Sequence, residues 1–240
     1  FMVHNTEAIG GFIVTASHNP IEWNGLKFLR SDSTFFHPED CEKLFELADQ
    51  NIDINDSSDK GMLWAEKNAI QKHIISCVSM SCIDLNRIQK RKFKVVIDAV
   101  NGAGSNALPP LLESLGCEVF ELYCEPNGDF VRGTEPLPEH LKNLGEEVIK
   151  YGADVGFAVD PDADRLAIVN EMGEPLGEEY TLVVAADGYL RDTGKEEKFV
   201  INLSTSLALE KLAESNNSSV TRSAVGEINV VNKMIEINSK

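Results

Sequence analysis

The chain has 240 residues, 42% of them hydrophobic and 25% charged, and a net charge of −17. That is enough apolar matter for one large domain or two smaller ones with real cores. The charge argues against nucleic acid or an anionic membrane as partner, because both are held through excess Lys and Arg. It does not exclude a small anionic substrate, since a few converging cations or one bound metal ion can set the local potential.

No apolar run approaches the roughly 18 residues of a membrane span, and "FMVHNTEAIGG" lacks the basic segment and cleavage site of a secretory signal. A cytoplasmic protein is the expectation. A chain opening at Phe1 without an initiator Met is expected to be incomplete. Cys41, Cys77, Cys82, Cys117 and Cys124 form no C-x-x-C pair, which indicates neither a disulfide framework nor a zinc site. They are expected to be small buried residues.

In chain order, "GGFIVTA" predicts a short apolar strand ending in a turn, and "WNGLKFLR" a second strand. "PEDCEKLFELADQ" puts Leu44, Phe45, Leu47 and Ala48 on one side of a helix whose opening Pro38, Glu39 and Asp40 suit its N-terminus. "NIDINDSSDKG" is a polar loop. "AEKNAIQKHIISCVSMSCI" carries Ile70, Ile74, Val78 and Ile83 near helical spacing and predicts one longer helix.

A new unit is expected at the basic stretch "QKRKF". "KFKVVIDAV" is a buried-type strand, "NGAGS" a glycine loop, "PPLLESLG" a helix closed by Gly116, and "CEVFELY" a strand. Helix "PEHLKNLGEEVIKYG", strands "DVGFAV" and "LAIVNE", and helix "EEYTLVVAADGYLRDTG" follow. The alternation predicts an α/β sheet. A third unit begins with strand "KFVINLS", helix "LALEKLAESN" and strand "SSVTRSAV", after which no element is assigned.

The strongest chemical signal beyond the first strand is "DVGFAVDPDADRLAIVNE". In an extended segment residues i, i+2 and i+4 point the same way, so Asp160, Asp162 and Asp164 can converge. Crowded like charges call for a cation, and hard oxygen donors favour Mg²⁺ over Zn²⁺; a solvated acidic turn is the plainer alternative. An EF-hand fails because Arg165 stands where Gly is needed and both flanks read as strands. The haloacid dehalogenase pattern wants Thr or Val at Asp164. Gly102-x-Gly104-x-x-Ala107 mimics a dinucleotide loop, but Pro109 and Pro110 interrupt the helix it would need. A tight strand-to-helix turn explains it better. "FVRGTEPLPEHL" reads as a Pro-punctuated loop that needs no ligand.

"TASHNP" can be a turn, with Asn19-Pro20 initiating it. Adjacent residues in an extended chain point opposite ways, so His18 is expected to be badly placed as a base for Ser17, and no G-x-S-x-G elbow exists. A hydrolytic triad is not indicated.

Together, "GGFIVTASHNPIEWNGLKF" and "AVDPDADR" resemble the α-D-phosphohexomutase family of phosphoglucomutases, phosphomannomutases and phosphoglucosamine mutases. "DAVNGAGS", "GEEYTLVVA", "NLSTSLALEKLAE" and "SAVGEINVVNKM" look most like its phosphoglucosamine mutase members. The resemblance implies consecutive phosphoglucomutase-type α/β domains with mixed sheets: residues 1–88 as the end of a first domain with its linker helix, 89–194 as the second, and 195–240 as the start of a third. The first and third would be incomplete and a fourth absent.

It also implies a mechanism. Ser17 would carry phosphate, donate it to a hexose or hexosamine phosphate, and recover the other phosphate from the bisphosphate intermediate, moving phosphate between C1 and C6. Mg²⁺ would sit on Asp160, Asp162, Asp164 and a phosphoserine oxygen. Arg165 would add a cation, and Lys27 and His18 would lie beside the phosphoryl group, with Lys27 handling the sugar hydroxyl proton if neighbouring positive charge lowers its pKa. The family's arginine loop before the serine strand, its sugar-reading loop and its phosphate-gripping domain have no counterpart here. The 240 residues are therefore expected to hold Mg²⁺ and to turn over poorly or not at all. A catalytically silent metal-binding fragment is the other reading, and the choice of sugar and the oligomeric state are left open.

Overall fold

The computed structural model describes residues 1–50 and 61–239. The expected polar loop at 51–61 lies, apart from Gly61, outside the described residues.

The centre of the molecule is a four-stranded sheet in the order β4-β3-β5-β6, formed by β3 (Lys94–Asp98), β4 (Glu118–Leu122), β5 (Val155–Val159) and β6 (Leu166–Val169). Strands β4, β3 and β5 run parallel, and β6 returns antiparallel to β5, which makes the sheet mixed as expected. Strand β3 has no polar face because helices cover both sides. Val96 packs with Leu144 and Val148 of α5 (Lys142–Tyr151), while Val95 and Ile97 pack with Leu112 of α4 (Leu108–Ser114). Truncating a side chain as enclosed as Leu144 to Ala would cost about 2–5 kcal/mol. This rigid core fixes the carboxyl ends of β3 and β5, where Asp98 pairs with Ala158 and the chain leaves β5 into Asp160.

Before it, β1 (Gly10–Val14) and β2 (Leu26–Arg30) form an antiparallel hairpin with Val14 opposite Leu26, so residues 15–25 emerge from its end. Helix α1 (Pro38–Asp49) matches the expected segment. The single long helix does not form. Helix α2 (Ala69–Val78) stops where the Ser79 hydroxyl bonds the Ile75 carbonyl, and α3 (Leu85–Arg91) restarts with Asp84 accepting from the Arg87 amide. Ser and Asp side chains that compete for backbone groups break the run that apolar spacing alone suggested. Helix α3 contains the step from residue 88 to 89 and takes in part of "QKRKF".

In the third unit, β7 (Lys198–Asn202) and β8 (Ser219–Ser223) are parallel and joined through α7 (Ala208–Ser215); α8 (Glu227–Ile237), not anticipated, packs against them. Helix α6 (Glu178–Thr193) was grouped with residues 89–194, yet Ala186 buries against Ile201 and Leu209 of the third unit, while Thr181 bonds the Leu166 carbonyl of the second. Its apolar spacing told that one face is covered, not which unit covers it. The five cysteines are free and only partly buried. Among the described residues no helix is long and apolar enough to cross a membrane.

Candidate active site

Strand β1 delivers Thr15 to the hairpin end, where the Thr15 amide bonds the Gly25 carbonyl at 3.0 Å. A turn follows, with both the backbone and the side-chain amide of Asn19 bonding the Ala16 carbonyl at 3.1 and 2.8 Å. Ser17 sits at φ 54°, a left-handed conformation that costs a non-glycine residue about 1–3 kcal/mol and persists where surrounding bonds hold it. One such bond runs from its amide to Thr15 Oγ1 at 2.9 Å. The left-handed turn also corrects the expectation for His18. The local chain is not extended, so Ser17 Oγ and His18 Nδ1 face each other at 3.3 Å.

The three aspartates occupy the β5–β6 connection, a turn where an extended run was expected, and one carboxylate oxygen from each lies within 4.8 Å of the other two. Asp160 is fully buried, and its Oδ1 accepts from the amides of Asp164 and Arg165 at 3.0 and 3.1 Å. Asp160 Oδ2 and Asp162 Oδ1 are buried without any hydrogen-bond partner. Two orphaned carboxylate oxygens are costly unless a cation completes them, and an all-oxygen donor set suits a hard divalent ion. The cluster can therefore hold a metal ion, and flanking strands in place of helices rule out the EF-hand.

Lys27 Nζ lies 3.0 Å from Asp162 Oδ2 and 3.1 Å from Asp164 Oδ2. Three carboxylates against one ammonium leave two negative charges, the complement of one divalent cation. Burial pushes Asp160 up to about 6, helped by the charges of Asp164 and Asp162. Burial opposes ionisation of Asp162 as well, but the bonds from Lys27 and Thr15 hold it below the usual range. For Lys27, burial lowers the pKa and the two aspartates more than offset it, so the net direction is upward. The expected lowering by positive neighbours is not met, because its neighbours are carboxylates.

Two parts of the chain 147 residues apart meet here. Thr15 Oγ1 donates to Asp162 Oδ2 at 2.9 Å while accepting the Ser17 amide, which ties the serine turn to the carboxylate cluster. Ser17, Thr15 and Asp162 line one cavity of about 610 Å³.

Arg165 lies at the edge of the cluster, beside His18. Its Nε is 4.0 Å from Asp160 Oδ2, and its short contacts are Nη1 to Glu135 Oε1 at 2.6 Å and Nη2 to His18 Nδ1 at 2.9 Å. The "RGTEP" loop, read as chemically bland, reaches the site through Thr134, which donates to the His18 carbonyl, and through Glu135. Below it, the Arg132 side chain is buried, with Nε on Asp98 Oδ2 at 2.6 Å and Nη2 on the Val159 carbonyl at 2.5 Å, clamping the ends of β3 and β5. Thr15, Thr134 and Glu135 were missed. The only available signal was their position within quoted motifs.

The glycine loop has a structural duty. A Cβ on Gly102 would stand 2.5 Å from the Pro161 carbonyl oxygen, and the Ala103 amide bonds that same oxygen at 2.8 Å. Gly102 lets the backbone of the aspartate loop approach, which accounts for the motif without a nucleotide.

The molecule is thus an α/β protein that presents a serine turn and a lysine against a carboxylate cluster at the ends of a mixed sheet. Family models for phosphoglucomutase/phosphomannomutase alpha/beta/alpha domains I, II and III match residues 1–54, 71–173 and 177–239. The chain belongs to the phosphoglucomutase/phosphomannomutase family. It is 36% identical to a phosphoglucomutase/phosphomannomutase of Thermococcus kodakarensis over 96% of this chain and 50% of that protein. A phosphoglucosamine mutase of Sulfurovum sp. is 32% identical over 98% of this chain and 53% of its own length. The chain spans about half the length of the curated relatives it matches. A solved family protein from Burkholderia thailandensis shares the fold at 22% identity, with a TM-score of 0.73 over 96% of this chain and 48% of that one.

Proposed function

We propose that this chain carries the phosphoryl-transfer centre of a phosphosugar mutase, moving phosphate between C1 and C6 of a hexose or hexosamine phosphate through phospho-Ser17 and a sugar bisphosphate. The observation that carries this reading is the Thr15 bridge, which joins the Ser17 amide to Asp162 within the carboxylate cluster.

In the first transfer the bond from phosphorus to Ser17 Oγ breaks, and a bond forms to a hydroxyl oxygen of the sugar monophosphate. The sugar hydroxyl loses a proton and Ser17 Oγ regains one. In the second transfer the bisphosphate, turned around, returns its other phosphoryl group to Ser17. His18 Nδ1 lies 3.3 Å from Ser17 Oγ, which places the ring beside the phosphoryl group. Asp160, Asp162 and Asp164, with an oxygen of phospho-Ser17, would hold Mg²⁺, which when bound offsets the negative charge of the phosphoryl group as a Lewis acid. Lys27, held on Asp162 and Asp164, is the residue that would handle the sugar hydroxyl proton; the two carboxylates raise its pKa, so it must release its own proton before it can take that one.

The names of relatives make phosphoglucosamine mutase the favoured activity, with phosphoglucomutase or phosphomannomutase the neighbouring one. The test is conversion of glucosamine 6-phosphate, glucose 6-phosphate and mannose 6-phosphate, with Mg²⁺ and a trace of the matching bisphosphate, by the 240-residue chain and by the longest open reading frame that contains it. Preferential isomerisation of glucosamine 6-phosphate by the longer protein is expected. A preference for glucose or mannose phosphate would overturn the sugar assignment, and no isomerisation of any of the three would overturn the mutase reading.

A further inference from the structure

We propose that Glu135 is a positioning residue for the transfer, holding Arg165 and His18 in one arrangement beside Ser17; this rests on the phosphoryl-transfer reading of the site. Glu135 Oε1 accepts from Arg165 Nη1 at 2.6 Å and stands 3.6 Å from His18 Nε2, while Arg165 Nη2 reaches His18 Nδ1 at 2.9 Å. The three side chains close a ring around the residue next to the serine.

The chemistry of the ring fixes its members. A guanidinium can only donate, so the contact with Arg165 makes His18 Nδ1 an acceptor and leaves the ring proton of a neutral imidazole on Nε2, the nitrogen that faces Glu135. The acceptor nitrogen is thereby the one directed at Ser17 Oγ, 3.3 Å away. Glu135 also offsets the charge of Arg165, whose Nε lies 4.0 Å from Asp160 Oδ2 at the edge of the carboxylate cluster. A carboxylate receiving an arginine makes a strong, directional bond of this kind.

The platform beneath Glu135 is rigid. Thr134 bonds the His18 carbonyl, and Arg132 is anchored by the buried Asp98 and the Val159 carbonyl. The loop therefore presents Glu135 from the second-unit sheet to a residue on the first-unit turn. It aligns the two sides of the site by a route independent of the Thr15 bridge.

The test uses the 240-residue chain with Mg²⁺ and glucose 1,6-bisphosphate, following phosphate transfer to Ser17 by time-resolved intact mass. Glu135→Ala is expected to slow transfer by roughly 10- to 100-fold, the scale of a misplaced reacting group. Glu135→Gln, which keeps an acceptor for Arg165, is expected to recover much of the rate, and Mg²⁺ affinity is expected to be unchanged in both. Equal rates in wild type and Glu135→Ala, or a rate loss that merely follows a loss of Mg²⁺ affinity, would overturn the proposal alone. Absence of labelling in the wild type would overturn the mutase reading and the proposal with it. A readout free of turnover is the side-chain ¹⁵N spectrum: the Arg165 Nε and His18 ring signals are expected to move in Glu135→Ala and Glu135→Gln, and unmoved signals would overturn the proposal.

Discussion

Replacing Asp160 by Asn should stabilise the cation-free protein at neutral pH while abolishing its response to Mg²⁺. Burial pushes this carboxyl to about 6 in the fold, against 3.8 for the ordinary group. The folded state thus keeps the proton at pH values where the unfolded chain has released it. The carboxyl's contribution to stability is complete below 3.8 and is lost as pH rises through about 6. At 1.36 kcal/mol per pH unit, the gap makes the bare charge cost on the order of 3 kcal/mol at pH 7. An Asn carbonyl can still accept the amides of Asp164 and Arg165, so most of that cost should be recovered, about 1–3 kcal/mol. Urea unfolding of wild type and Asp160→Asn at pH 7 and pH 5, with chelator and with millimolar Mg²⁺, measures it. Wild type with chelator should gain on Asp160→Asn as pH falls from 7 to 5, and Mg²⁺ should stabilise wild type only. An Asp160→Asn protein less stable than wild type in chelator at pH 7, or equal stabilisation of both by Mg²⁺, would refute the reasoning.

Three further substitutions probe the frame. Gly102→Ala forces a Cβ against the Pro161 carbonyl and should cost about 1–3 kcal/mol and weaken Mg²⁺ binding, read by thermal unfolding and calorimetric titration. Arg132→Met leaves the buried Asp98 carboxylate unpaired and should cost about 3–5 kcal/mol at pH 7. Burial already raises Asp98 and Arg132 opposes that rise, so the penalty should shrink as pH falls and Asp98 takes a proton; a pH series of unfolding curves decides it. Thr15→Val keeps the shape but removes the hydroxyl that joins Ser17 to Asp162, at about 1–2 kcal/mol; faster hydrogen exchange at the Ser17 amide is the expected sign.

Local patterns carried much of this structure. The alternating aspartates converge as expected but for another reason: 160–165 is a turn, with the Ala163 amide on the Asp160 carbonyl and Ala163 at φ 61°, not the extended run whose period-two geometry suggested it. The strands of the central sheet were legible because β3 and β5 are apolar runs bounded by turn residues. Apolar spacing failed where polar side chains acted on the backbone, as Ser79 and Asp84 do between α2 and α3. It also could not say whether α6 covers the second unit or the third, since burial of a face does not name the covering partner.

At the site, the missing information was long-range. Ser17 was judged on the assumption of an extended chain, and its left-handed turn brings His18 alongside. Lys27 was to act as a base only if positive neighbours lowered its pKa, and it lies between two carboxylates 135 and 137 residues further along the chain. "RGTEP" carries Thr134 and Glu135, but only the packing of its loop against the serine turn gives them partners.

The central claim is that Ser17 and the three aspartates form one phosphoryl-transfer centre. Its most direct test is intact-mass and phosphopeptide analysis of the 240-residue chain, before and after exposure to glucose 1,6-bisphosphate or glucosamine 1,6-bisphosphate with and without Mg²⁺. A single phosphate on Ser17, requiring Mg²⁺ for its transfer and absent from Ser17→Ala and Asp160→Asn, is the predicted result. No phosphate, a phosphate on another residue, or transfer that proceeds equally well without a divalent cation would contradict it.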